Sequence, residues 1–182
     1  MKAAYFHHGT ALLLFFLISV NTNSLYAAAY YAIDTCSVNE LCQTAVLIPN
    51  VESDDDFVCI KGCNTVAKPD IRMEQCTSDT CPTVWFTLMT DQKASFLNIT
   101  ITGLDTIRPV FRIYRGFNNC SGLTPVRLAQ GPDYCAFGNG GIARANGTKV
   151  EPNAQYYIAV GGLYGTEGGF ELCVNSNSTG SV

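Results

Sequence analysis

The stretch Ser95–Thr102 reads S-F-L-N-I-T-I-T, and its strict alternation decides the fold class. Side chains of an extended strand point to opposite faces with a period of two. Leu97, Ile99 and Ile101 therefore share one face, and Asn98, Thr100 and Thr102 the other. The same period runs outward from this stretch in both directions. Thr83–Thr90 (TVWFTLMT) sets Val84, Phe86 and Leu88 against Trp85, Thr87 and Met89. Pro109–Arg115 (PVFRIYR) places Phe111 and Ile113 inward, with Arg112 and Tyr114 outward. Gln155–Val160 (QYYIAV) and Gly169–Val174 (GFELCV) follow, the latter with Phe170, Leu172 and Val174 inward and Glu171 and Cys173 outward. A glycine-rich connection from Gly161 to Gly169 joins these two strands. Gln43–Ile48 (QTAVLI) reads as the first core strand. No window carries a helical apolar stripe. Short strands punctuated by Pro and Gly predict an all-β sandwich or barrel. Two packed antiparallel sheets are expected, with Phe86, Leu97, Ile99, Phe111, Ile113, Ile158, Phe170 and Leu172 between them.

Upstream, residues 1–29 read as a secretory leader: Lys2, the apolar core Ala11–Val20, and a small-residue cleavage site at Ala27-Ala28-Ala29. The apolar run is about half the ~20 residues a spanning helix needs, so no membrane span is expected. The mature chain starts near Tyr30, and residues 30–38 form an N-terminal arm. The only two histidines, His7 and His8, lie in the leader. This excludes a Ser-His-Asp triad, a Cys-His dyad and a histidine-ligated metal from the exported chain.

What remains is roughly 150 residues, enough for one domain with a real core. Hydrophobic residues make up 47% of the chain, too many for a disordered tail, and charged residues only 14%. With Lys2 in the leader, 10 basic face 15 acidic residues, and no basic groove with interleaved aromatics appears. Nucleic acid is therefore not an expected partner. All nine cysteines (36, 42, 59, 63, 76, 81, 120, 135, 173) follow the leader, and in an exported chain they read as disulfides. The spacings Cys59-x3-Cys63 and Cys76-x4-Cys81 would suit zinc only in a reducing compartment. Four bridges leave one thiol over.

Several segments resemble, in order, those of the bacterial pre-peptidase C-terminal (PPC-like) domain family. They are Asn39-Glu-Leu-Cys42-Gln-Thr-Ala45, Val84-Trp85-Phe86-Thr87-Leu88, and Phe111-Arg-Ile-Tyr114-Arg-Gly116 followed by Cys120-Ser-Gly-Leu123. Val150-Glu-Pro-Asn-Ala-Gln-Tyr156-Tyr157-Ile-Ala-Val160 and Gly169-Phe170-Glu-Leu172-Cys173-Val174 complete the set. The resemblance spans 39–174, leaving 175–182 as a short tail. It implies a jelly-roll-like β-sandwich that is non-catalytic and serves adhesion, targeting or secretion. The chain departs from the family pattern in a long, cysteine-rich Val51–Cys81 segment and in Asn153 where a glycine is usual, and no enzyme is expected beside the module.

The resemblance also implies a disulfide pattern. Cys42 would join Cys173, and Cys120 would join Cys135. Cys59, Cys63, Cys76 and Cys81 would form two bridges among themselves. Cys36 is then the free or intermolecular cysteine, unless it pairs with Cys42 and releases Cys173.

Candidate sites follow from residue chemistry. Asp54, Asp55 and Asp56, with Glu52, offer oxygen ligands to calcium, although consecutive side chains cannot all turn to one ion. Trp85, Tyr114, Tyr134, Tyr156, Tyr157 and Tyr164 could supply a sugar-stacking platform. A glycosidase would need two convergent acids among Asp91, Asp105, Asp133, Glu151 and Glu167, all in turn-like segments. Sequons stand at Asn98, Asn119, Asn146 and Asn177, on outward or loop positions. No cofactor is expected. The functional expectation is a secreted, non-catalytic glycoprotein that acts as a structural subunit of an extracellular fibre or coat. Its arm (Tyr30, Tyr31, Ala32, Ile33) would add a strand to a neighbour's sheet. The alternative is a soluble carbohydrate-binding or adhesion module, which clustered exposed aromatics beside a cleft would favour.

Overall fold

A computed structural model describes residues 30–31, 36, 39–49, 51–54, 56–77, 81–117, 120–129, 134–138 and 140–178. The leader, Ala32, Ile33, Asp55, Asn119 and Asp133 lie outside the described residues. Among the described residues eleven strands occur in chain order: β1 (Tyr30–Tyr31), β2 (Val46–Leu47), β3 (Val58–Cys63), β4 (Val84–Met89), β5 (Phe96–Gly103), β6 (Pro109–Phe117), β7 (Ser121–Pro125), β8 (Cys135–Phe137), β9 (Ile142–Lys149), β10 (Gln155–Gly162) and β11 (Gly169–Asn177). Short 3-10 turns at Cys42–Thr44, Ile71–Met73 and Leu163–Gly165 are the helical elements among the described residues.

One sheet has the order β1-β3-β11-β5-β9, the other β2-β4-β10-β6-β7, with β8 also on β6. From β3 to β6, and again from β9 to β11, successive strands alternate between the sheets, so the two layers form a jelly-roll-like sandwich. The central pairs are antiparallel, but β1 joins β3 and β2 joins β4 in parallel. The expected strand at Gln43–Ile48 is a 3-10 turn followed by the two residues of β2.

All eight residues expected in the core are fully buried between the sheets. Phe86 and Phe170 meet edge-to-face with centroids 5.9 Å apart. Gly62 on β3 makes room for them: a Cβ there would stand 2.8 Å from Phe170 Cζ and 2.9 Å from Phe86 Cζ.

The outward faces differ from expectation. Trp85, Arg112, Tyr114 and Tyr157 point away from the main core, yet each is buried. The chain between β3 and β4 folds back over Trp85, Arg112 and Tyr114, while the Tyr157 hydroxyl accepts from Cys120 N at 3.4 Å; the three aromatic residues share a second apolar cluster with Met73, Cys76, Cys81 and Cys135. Asp70, Arg72 and Met73 fix this cover. Trp85 Nε1 donates to Asp70 Oδ2 at 3.2 Å, and the Tyr114 hydroxyl donates to the Arg72 carbonyl at 2.9 Å. The Arg112 guanidinium also donates to that carbonyl and lies between the rings of Tyr114 and Tyr134. A sheet covered on both faces carries apolar and aromatic side chains on both, which is why β4 and β10 do not read as inside-outside ribbons.

The disulfides correct the implied pairing throughout. The four bridges are Cys36–Cys63, Cys42–Cys120, Cys59–Cys173 and Cys76–Cys135, and Cys81 is a buried free thiol. Cys173 cannot reach Cys42 because β3 lies beside β11, with Cys59 directly opposite and Cα atoms 4.1 Å apart. Cys42 sits over the other sheet, where it meets Cys120. None of Cys59, Cys63, Cys76 and Cys81 bonds to another of the four, since the segment is a strand plus a cover rather than a self-contained insertion. Cys36 is paired and so is not the spare thiol. The one that is spare has no exposed surface.

Candidate functional cleft at one end of the sandwich

Three connections converge at one end of the molecule: 104–108 between β5 and β6, Gly138, Gly140 and Gly141 between β8 and β9, and 163–168 between β10 and β11. Between them lies a cleft of about 580 Å³, with Asp105, Arg108, Gly140 and Tyr164 in its walls. A second hollow of about 320 Å³ adjoins it, lined by Phe137, Thr77 and Cys76. Leu163 and Tyr164 line both and form the ridge between them.

Tyr164 is 73% exposed, and its backbone lies in the left-handed region with φ +56. A bulky side chain rarely adopts that conformation, so it persists only where neighbours hold it. Here they do. Leu163 N donates to the Arg108 carbonyl at 2.8 Å. Thr166 donates to the Leu163 carbonyl through both its amide and its hydroxyl, and that hydroxyl accepts from Arg108 N. Gly165, also at positive φ, completes the turn. Gly162 is obligatory, since a Cβ there would run into the Thr166 carbonyl.

The wall at Asp105 is equally fixed. Asp105 accepts from Gly169 N at 3.0 Å and from Ile107 N, and the Gly169 bond holds its carboxyl below the usual carboxylate range despite some desolvation. Gly168 has φ +148, and a Cβ there would strike the Asp105 carboxylate. Fully buried Asn64 accepts from Gly168 N and donates to the carbonyls of Pro82 and Thr166, tying the ridge to the cover. Gly140 and Gly141 both have positive φ and open space where a side chain would project, leaving a bare backbone edge on one wall.

The candidate residues sort cleanly against this geometry. Trp85, Tyr114, Tyr156 and Tyr157 are buried and cannot stack on a ligand. Tyr134 is 38% exposed and packs on Arg112. Tyr164 reaches the cleft, and Phe137, which the sequence reading missed, is 40% exposed beside it. Of the acids, only Asp105 among the described residues lines the cleft. Asp91 accepts from Ser53, Lys93 and Ala94, and Glu151 pairs with Arg115 at 2.6 Å. Asp54 accepts from Ser178 N and Oγ. The one grouping of metal-ligating side chains among the described residues is Cys59, Glu171 and Cys173, in which both sulfurs are consumed by a disulfide. Asn98 has both amide atoms engaged, Asn177 is half-buried and Asn146 is exposed.

Fold and site together define a disulfide-stapled β-sandwich with a preformed cleft at one end. No family model and no curated protein matches the sequence. Among solved structures the chain is similar to the pre-peptidase C-terminal domain of a collagenase from Bacillus anthracis. Identity is 16% and TM-score 0.43, over 72% of this chain and 94% of that one. That is the kind of domain the strand segments resemble. No helix among the described residues is long and apolar enough to cross a membrane.

Proposed function

We propose that the chain is a secreted, non-catalytic carbohydrate-binding and adhesion module that takes its ligand at the cleft around Tyr164. The observation that carries this is an exposed aromatic side chain on the ridge between two hollows, set on a backbone turn that its neighbours' hydrogen bonds hold in an unfavourable conformation. A sugar ring has an apolar C–H face and a hydroxyl rim. Tyr164 and Phe137 offer flat apolar surfaces to the face. Arg108, Thr106 and the backbone of Gly138, Gly140 and Gly141 offer polar groups to the rim. The volume falls in the range of small-ligand sites, and the tied loops mean little ordering cost on binding.

A second reading, the subunit of an extracellular fibre or coat, rests on β9, an eight-residue strand at a sheet edge. Its covalent form loses support, because Cys36 is bonded to Cys63 and β1 already pairs with β3 of its own domain. A glycan array probed with the secreted protein, together with negative-stain microscopy of the same sample, separates the two. Selective oligosaccharide binding by discrete particles supports the module. Filaments that bind no glycan support the fibre.

A further inference from the structure

We infer that Asn146 carries an N-linked glycan, and that this glycan guards the β9 edge against pairing with a second copy of the chain. β9 ends the strand order of its sheet, and among the described residues no strand pairs with its outer side, although β8 of the other sheet lies near it. Such an edge is a template for another strand. Its inner face is flat and small, with Ala143 and Ala145 fully buried, so nothing bulky disturbs the strand from within. Two modest guards are present. Arg144 and Lys149 place charge on it, and the register with β5 shifts between Leu97 and Ile99, where Gly147 takes φ +64.

Asn146 sits at that shift. Its side chain is exposed on the outward face, in the sequon Asn146-Gly147-Thr148. A docked strand would lie about 4.8 Å from β9. Its side chains would then occupy the space into which an oligosaccharide on Asn146 projects. The sequon at Asn98 is built differently. Its Nδ2 donates to Asn175 Oδ1 and its Oδ1 accepts from Gly147 N, both at 2.8 Å, so the amide serves as the plug that closes the bulge beneath Asn146. One amide thus stabilises the irregular edge from inside the sheet, and its neighbour across the ladder shields it from outside.

The test uses the full chain secreted from cells that N-glycosylate. Peptide mapping after enzymatic deglycosylation in heavy-oxygen water reads which Asn has become labelled Asp. Light scattering across a concentration series reads association of the wild type and of Asn146→Gln. Wild type deglycosylated in its folded state is measured alongside, so that a folding defect in a variant cannot mimic the effect. The expected result is label at Asn146, a monomeric wild type, and concentration-dependent association of both Asn146→Gln and the deglycosylated protein. An unlabelled Asn146 would overturn the inference. So would a deglycosylated protein that stays monomeric.

Discussion

Opening the cover by removing one bridge has a size that the structure sets. Cys76–Cys135 pins the 3-10 turn at Ile71–Met73 over Trp85 and Tyr114 and closes a sequence separation of 59 residues. The chain-entropy estimate for a loop of that length is about 4 kcal/mol, less any native-state strain. For a domain of roughly 150 residues, each kcal/mol shifts Tm by about 2–4 °C, so Cys76→Ala/Cys135→Ala should melt roughly 8–16 °C lower. The chain has one tryptophan, Trp85, which is fully buried in the second cluster. Its emission reports on the cover directly. In the double variant it should shift red at denaturant concentrations where circular dichroism still shows an intact sandwich. The Asp70 and Arg72 contacts then open before the main core does. Unchanged melting, or a tryptophan signal that moves only with global unfolding, would refute the claim that this bridge staples a separate layer. Non-reducing peptide maps that join Cys76 to Cys81 would refute it as well.

Three further outcomes follow from single contacts. Gly62→Ala should cost about 1–3 kcal/mol in chemical denaturation, because the added Cβ overlaps Phe170 and Phe86 in a filled core. Cys81 should be silent to a water-soluble thiol reagent in the native protein and titrate as one thiol per chain after denaturation, since its Sγ lies against Gly161, Thr77 and Thr83. Stability should be flat from about pH 5.5 to 8, with no histidine beyond residue 8, and should fall below about pH 4. Burial pushes the Asp91 carboxyl up, but the Ser53 hydroxyl and three backbone N–H groups outweigh it and hold it low. A depressed folded value gives stability that is present above the unfolded value and lost as pH falls through the folded one. Melting curves of Asp91→Asn should therefore show a shallower acid decline than wild type.

The main core was legible because β5, β6 and β11 obey the period-two rule with one face apolar. β3 was not. In Val-Cys-Ile-Lys-Gly-Cys only Ile60 is a large buried apolar residue, so the segment resembles a cysteine-rich loop until β11 is placed beside it. The cover left a signal that alternation alone cannot interpret: Trp85, Tyr114 and Tyr157 on the outward side of neighbouring strands are too much apolar surface to leave in water. Disulfide connectivity depends on which strands become neighbours, and spacing along the chain does not contain that. Tyr164 was a candidate among six aromatic residues; burial of four of them leaves Tyr134 and Tyr164, and of these two Tyr164 lines the cleft. Phe137 stood in a three-residue strand with no alternation to mark it.

The most direct measurement is the binding of the best array glycan to Tyr164→Ala by titration calorimetry, with Tyr134→Ala as the control. The account predicts at least a tenfold loss of affinity for Tyr164→Ala, about 1.4 kcal/mol, with Tm and Trp85 emission unchanged and Tyr134→Ala equal to wild type. Equal affinity in Tyr164→Ala, or a wild type that binds no glycan on the array, would contradict it.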